Sequence, residues 1–394
     1  MGEKGAGASV SGARRSQGGS HAGHNSEELA RWGRVTRLLP TRCIGKTTLG
    51  VSELGFGAAS LGNLYRIVSD SDARETTGAA IEAGITYFDT APYYGFGLSE
   101  RRVGDALREH SEIVLSTKVG RLLKASARVH GYDERHGFCS PMPFEPEFDY
   151  TFDGVMTSWE ASKQRLGLAH IDILYVHDIG SLTHGERHEA TFDQLTHGGG
   201  FRALEQLRAA REILAFGIGV NEIAICLEAM RHAHLDVLLL AGRYTLLEQN
   251  ALDALLPACE RAGTSIVVGG PYNSGILATG TRQGGALHYD YGIAPQTVVD
   301  RVRRLEAHCE QHGVPLAAAA LQFPLAHPQV VSVIPGLGSP RHIERTLALY
   351  MTNIPDDLWH ALKRDGLLHA DAPVPPARAS DGQSKLNETS SAGH

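Results

Sequence analysis

The sequence predicts an α/β chain closed into a (β/α)8 barrel, a TIM barrel, on three observations. Short apolar runs alternate with segments of helical period, the alternation occurs eight times, and the runs are apolar almost throughout, as strands covered on both faces must be. In chain order the runs are LGFG (54–57), ITYFD (85–89), IVLSTK (113–118), IDILYVH (171–177), FGIGV (216–220), LDVLLL (235–240), SIVVGG (265–270) and VVSVIP (330–335). Helical period follows them, as in SDARETTGAAIEAG (71–84) and FRALEQLRAAREI (201–213). One barrel takes about 250 residues or more, so 394 residues require no second domain.

The two ends read differently. Residues 1–40 are rich in Gly, Ser, Ala and Arg without apolar periodicity, and residues 371–394 are similar. Neither stretch can bury enough apolar surface to offset its ordering entropy, so both are expected to be disordered, with the barrel over 41–365 between them. Three stretches interrupt the strand–helix rhythm: 120–155, 179–199 and 274–294. Each follows a strand and is expected above the strand C-termini, where a barrel holds its substrate. No element is predicted within 120–155, and its Tyr132, Phe138, Phe144, Phe148 and Tyr150 are expected to help cover the substrate.

Composition narrows the partners. A formal net charge of -7, with no basic field and no acidic run, leaves nothing to hold nucleic acid and points to a small molecule. Cys43, Cys139, Cys226, Cys259 and Cys309 are odd in number and never form a Cys-x-x-Cys pair, against a disulfide framework or a structural zinc. No apolar run approaches the roughly 20 residues that span a bilayer. The N-terminus lacks the apolar core of a signal peptide, and Ala6 stands where myristoylation needs Ser or Thr. A cytoplasmic protein, without membrane contact, is expected.

Ionisable residues fall where barrel chemistry sits. Asp89, Lys118 and His177 lie at the ends of the second, third and fourth predicted strands, and Tyr94 follows Asp89 in the loop DTAPYYGFG. An ammonium near a tyrosine favours its phenolate, an Asp beside that Lys keeps it charged and oriented, and a neutral His can hydrogen-bond the reacting oxygen. Taken singly, Asp89 could cap a turn, Lys118 and His177 could be structural, and Tyr93 and Tyr94 could be a packed pair. Four separate structural reasons converging on matching strand ends is a weaker explanation than one site, with Tyr94 as the proton-transfer residue.

These residues carry a resemblance. FDTAPYYGFGLSERRVGDAL, LSTKVGR and DILYVHD resemble the aldo-keto reductase superfamily from about residue 43 to about 350. The family's catalytic Asp, Tyr, Lys and His then correspond to Asp89, Tyr94, Lys118 and His177. LGNLY, GIGVNE, AGRYTLLEQ and GGPYNSGIL resemble, more narrowly, the dehydrogenases of L-fucose, L-galactose and D-threo-aldoses, with relatives that oxidise pyridoxal. The resemblance implies an enzyme that transfers hydride between NAD or NADP and a sugar or aldehyde, oxidising an aldose to its lactone. It implies cofactor contacts from Asn221 at the nicotinamide carboxamide, from Gly270, Pro271 and Gly275 around the pyrophosphate, and from Gly336, Ser339 and His342 at the adenosine end. The sequence departs from the family pattern at Ala241, Gly269, Gly336, His342 and Thr346. Gly336 and His342 stand where many NADP users carry Lys and Arg, so NAD is favoured.

Other motifs weigh less. LGFGAAS (54–60) is a partial dinucleotide-binding fingerprint with Ser60 in place of the last glycine, and a first barrel strand explains it. His232 and His234 raise a metal-dependent barrel hydrolase, but they precede the sixth strand, on the face opposite barrel chemistry. His184 and His188 have ligand-like spacing and are read as solvated surface, so no metal is expected. The intact Asp, Tyr, Lys and His set speaks against a non-catalytic nucleotide-binding subunit.

Overall fold

The computed structural model describes residues 39–377 apart from 131 and 283; the expected disorder of 1–38 and 378–394 lies outside the described residues. Eight parallel strands form one sheet in sequential order: β1 (Phe56–Gly57), β2 (Tyr87–Asp89), β3 (Val114–Val119), β4 (Ile173–His177), β5 (Ala215–Val220), β6 (Val237–Ala241), β7 (Ser265–Gly269) and β8 (Val330–Ile334). Each falls on one of the eight apolar runs. The first and last strands meet through Gly55 N–H to Val333 O (3.0 Å), Gly57 N–H to Pro335 O (3.1 Å) and Val333 N–H to Glu53 O (2.8 Å), which closes the TIM barrel.

Each strand is followed by a helix on the outside: α1 (Asp70–Glu82), α2 (Leu98–Leu107), α3 (Phe152–Leu166), α4 (Gly200–Ala209), α5 (Ile223–Ala229), α6 (Leu255–Ala262), α7 (Leu316–Gln322) and α8 (Pro340–Met351). The helix starts are written locally. Ser69 caps α1 by accepting from Asp72 N–H at 3.0 Å, with Asp70 and Asp72 in the first turn favoured by the helix dipole. Thr151 caps α3 in the same way, accepting from Gly154 N–H at 3.2 Å, and Gly167 ends the helix at φ 66°. Helix α4 ends at Ala209, four residues before the predicted end, because Arg211 turns to φ 61° and the chain leaves toward β5.

Apolar side chains fill two layers. Inside the barrel, Ile44, Leu49 and Val51 pack with Val114, Ile173, Ala215 and Val237. The latter four are at or near their strands' N-termini, and the former three belong to a hairpin (Thr41–Cys43 with Gly50–Ser52) that plugs this end. The larger layer joins strands to helices, with Phe56 stacked on Phe88 at 4.8 Å. At the C-terminus, Leu367, Leu368 and Ala372 are buried against the barrel, so the packed chain runs past residue 371.

The three interruptions contain structure of their own. Residues 120–155 are not featureless as expected: Arg121–Ala125 pairs antiparallel with Phe144–Phe148, Glu134–Arg135 pairs with Phe138–Cys139, and α3 begins at Phe152. Strands of two to five residues with half-exposed side chains have neither a continuous apolar run nor a clean alternation to reveal them. In the second interruption, helices Ser181–His184 and His188–Thr196 form, and in the third a short hairpin, His288–Tyr289 with Gly292–Ile293.

Candidate active site

The carboxyl ends of β2, β3 and β4 bring Asp89, Lys118 and His177 to one end of the barrel, and the loop after β2 adds Tyr94. Lys118 Nζ lies 2.7 Å from Asp89 Oδ2, with both side chains 2% exposed. It also donates to Thr90 O at 2.9 Å, while Ser116 donates to Asp89 Oδ1 at 2.7 Å. Ser116 Oγ is 3.0 Å from Tyr87 OH, which is 3.0 Å from Tyr175 OH. Removing two opposite charges from water is costly, and these further bonds satisfy the oxygens and protons that the pair leaves over. The ammonium stands 4.6 Å from the centroid of the Tyr94 ring.

Tyr94 is aimed by a turn that only glycine accommodates. Gly95 has φ 64°, and a Cβ there would lie 2.4 Å from Gly62 O, so the loops after β1 and β2 lock together beside the tyrosine. The Tyr94 ring meets the His177 ring edge-on at 6.0 Å and Phe138 at 6.5 Å. Phe138, in the 120–155 insertion, also packs edge-on against Tyr93 at 5.6 Å, so the insertion forms a wall of the site. Tyr132 of the same insertion points away, 94% exposed.

The electrostatics correct one expectation. Lys118 was expected to make Tyr94 acidic, but burial and then the negative charges of Asp89 and Asp178 hold the phenol well above its ordinary range, with Arg121 opposing them. The ammonium and the Asp89 carboxylate are in direct contact, so Tyr94 faces a nearly compensated pair and burial decides. Tyr94 is a neutral phenol here. Burial, aided by Arg121 and Lys118, pushes His177 well below the usual imidazole range, so it is neutral too.

Sequence reading missed a second ion pair. Arg121 donates to Asp178 Oδ2 while its guanidinium lies 3.9 Å from the Tyr93 centroid and 5.0 Å from that of Phe148. Asp178 Oδ2 is 3.4 Å from His177 Nε2. The only signal was position: Asp178 directly follows His177, and Arg121 lies three residues past Lys118. His184 is also not solvated surface as expected. It is buried edge-on against Phe148 at 4.6 Å, with Nε2 3.1 Å from Tyr150 OH, and Tyr150 donates to His177 O at 2.7 Å. His188 Nδ1 is 3.2 Å from Ile179 O. Among the described residues no group of three or more His, Cys, Asp or Glu is arranged to hold a metal ion.

The expected cofactor residues occupy the same end. Asn221 stands one residue beyond β5, half-buried. Gly270 and Pro271 leave β7, and Gly275 caps the short helix Ile276–Thr279. Asn273 ties this loop to the one after β6, donating to Gly242 O at 3.1 Å and accepting from Thr245 Oγ1 at 2.7 Å. Gly336 follows β8, and Ser339 caps α8, accepting from His342 N–H at 3.3 Å. A Cβ on Gly275 or Gly336 would meet nothing within 4 Å. The loops after β5, β7 and β8 thus lie at the same end of the barrel as Tyr94, with room beside Gly275 and Gly336 for a bound group.

The Aldo/keto reductase family model matches residues 53–364, and the chain belongs to that family. The pyridoxal 4-dehydrogenase of Microbacterium luteolum is 46% identical, covering 83% of this chain and 97% of the relative. The D-threo-aldose 1-dehydrogenase of a Pseudomonas species is 42% identical, with 81% and 95% covered. An aldo-keto reductase of Bacillus halodurans, solved in its holo form, superposes with a TM-score of 0.65 at 26% identity, covering 84% of this chain and 97% of that one. The chain is an oxidoreductase that uses a nicotinamide cofactor. No helix among the described residues is long and apolar enough to cross a membrane.

Proposed function

We propose that the enzyme oxidises the carbon of a cyclic hemiacetal, that of an aldose such as L-fucose or a D-threo-aldose, to the lactone. The carrying observation is the convergence of Tyr94, Lys118, Asp89 and His177 on one point at the strand C-termini. Pyridoxal is the second reading, favoured by the 46% identical relative that bears its name. Aldoses and pyridoxal share one feature: a hydroxyl that closes on the aldehyde to give a hemiacetal.

The nicotinamide supplies a hydride acceptor. Asn221, Gly270, Pro271, Gly275, Gly336, Ser339 and His342, on the loops after β5, β7 and β8, would hold the cofactor. Neutral His177 fixes the substrate oxygen between its own ring and Tyr94 OH. In the reductive direction the Tyr94 phenol gives its proton to that oxygen as hydride reaches the carbon. In the oxidative direction the same oxygen returns its proton to Tyr94, which must first be a phenolate. Asp89 holds Lys118 at the tyrosine, so the phenolate forms beside a fixed cation.

The raised pKa of Tyr94 sets the pH dependence. Below that pKa the phenolate fraction rises about tenfold per pH unit, so sugar oxidation at saturating substrate is expected to climb from pH 7 to pH 9. His177 stays neutral across that window and adds no ionisation near pH 6.5. A rate that is flat from pH 7 to pH 9 in a chemistry-limited assay would contradict the role of Tyr94 in oxidation.

NAD is expected to serve at least as well as NADP. A 2′-phosphate is usually met by Arg or Lys, and Gly336 and His342 supply neither. Burial, Arg66 and Arg345 push His342 below its ordinary pKa, which works against its serving as a cation. Comparing kcat/KM for the two cofactors at pH 6 and pH 8 checks this. A strong NADP preference at both pH values would overturn it and implicate the nearby Arg66, Arg341 or Arg345.

The functional test is nicotinamide absorbance followed with aldoses, pyridoxal and simple aldehydes, with the product identified. Reduction of the cofactor with lactone formation supports the proposal. Turnover of simple aldehydes alone would exclude it.

A further inference from the structure

The ion pair beside His177 has an unused half. Asp178 lies one residue beyond β4, where its N–H donates to Gly219 O at 2.9 Å and its backbone takes φ 49°. That left-handed conformation is tolerated by Asp and recurs where a chain must turn a side chain into a site. Oδ2 accepts from Arg121 and lies 3.4 Å from His177 Nε2. Oδ1 accepts no hydrogen bond among the described residues. The Asp178 side chain is 27% exposed while Arg121 is 6% exposed, so the carboxylate is the more accessible half of the pair.

Arg121 is held where it is by more than Asp178. Tyr93 and Phe148 flank its guanidinium, and the pairing of Arg121 with Phe148 fixes its backbone. The carboxylate is thereby held beside the imidazole that would fix the reacting oxygen, with Oδ2 3.4 Å from Nε2. An aldose in its ring form carries a hydroxyl on the carbon next to the reacting one. A carboxylate accepts such a hydroxyl, and a charged acceptor makes a stronger bond than a neutral one.

We propose that Asp178, oriented by Arg121, is a substrate-binding residue that accepts a hydrogen bond from the hydroxyl adjacent to the reacting hemiacetal carbon. The enzyme thereby selects α-hydroxy hemiacetals over their deoxy counterparts. The assignment rests on the hemiacetal reading of the function. It explains why a carboxylate with an unoccupied oxygen sits against a neutral histidine, where an apolar residue would fill the space without a desolvation cost.

The experiment compares an aldose with its 2-deoxy analogue, for the wild-type enzyme and for Asp178→Asn, with NAD. Wild type is expected to favour the hydroxylated sugar by roughly 10- to 100-fold in kcat/KM, the range of a hydrogen bond to a charged partner. Asp178→Asn is expected to lose most of that preference, chiefly through the KM of the hydroxylated sugar, and to keep its affinity for NAD measured by fluorescence titration. A purely structural Asp178 would slow both sugars alike and leave their ratio unchanged, which overturns the assignment. Equal use of the two sugars by wild type also overturns it while leaving the hemiacetal reading intact. Absence of turnover with every aldose overturns both. If Asp178→Asn does not fold, Asp178→Glu keeps the charge opposite Arg121 and moves the acceptor by one methylene. It is then expected to reduce the preference, and an unchanged ratio would again refute the role.

Discussion

Tyr94→Phe is expected to lower turnover by roughly 10²–10⁴-fold, the usual worth of a general acid–base group, while NAD affinity stays within about twofold. The phenylalanine keeps the ring against His177 and Phe138 and deletes only the transferable proton. Tyr93→Phe is the matched control. Its ring stacks on the Arg121 guanidinium at 3.9 Å, an interaction the substitution retains, and its hydroxyl has no part in the proposed proton transfer. Steady-state kinetics on both variants decide the matter. Near-full activity in Tyr94→Phe with loss in Tyr93→Phe would show that the neighbouring tyrosine carries the proton.

Lys118→Met is expected to have the second-largest effect, on stability as well as rate. Removing one partner of a buried ion pair costs about 3–5 kcal/mol, because the other charge stays buried and unpaired. Here that charge is Asp89, whose carboxyl burial already pushes up, with Lys118 the main opposing influence. Without Lys118 the carboxyl can escape its penalty by taking up a proton. The loss should therefore be largest near neutral pH and shrink as pH falls. Adding Asp89→Leu removes the orphaned charge, so the double variant should regain part of the stability and none of the activity. Denaturant unfolding at pH 5 and pH 8 checks this. Equal stability of wild type and Lys118→Met at pH 8 would contradict the coupling.

The eight strands were legible in the sequence because strands buried on both faces spell out continuous apolar runs, as in ILYVH of β4 and VLLLA of β6. The site was partly legible for the same reason. A lysine or a histidine at the end of such a run, as Lys118 and His177 are, stands out against it. The insertion over 120–155 was not legible. Its hairpins are two to five residues long and expose much of each strand, so pairing between Arg121–Ala125 and Phe144–Phe148 leaves no periodic trace. Arg121 and Asp178 escaped because an Arg–Asp pair reads as ordinary polar sequence until the fold brings residues 57 positions apart into contact. His184 looked like a surface residue because nothing local announces that Phe148 and Tyr150 will cover it. The acidity of Tyr94 was misjudged from sequence, since Lys118 suggests an acidic phenol and only the fold shows how deeply the phenol is buried.

The proposed reaction has Tyr94 take the proton while the hemiacetal carbon gives its hydride directly to the nicotinamide. It is tested most directly with an aldose bearing deuterium on that carbon. After turnover with NAD, mass spectrometry of the recovered cofactor should find one deuterium per molecule of reduced nicotinamide, with an unlabelled lactone as product. Reduced cofactor lacking deuterium, or a product that keeps it, would contradict hydride transfer from that carbon.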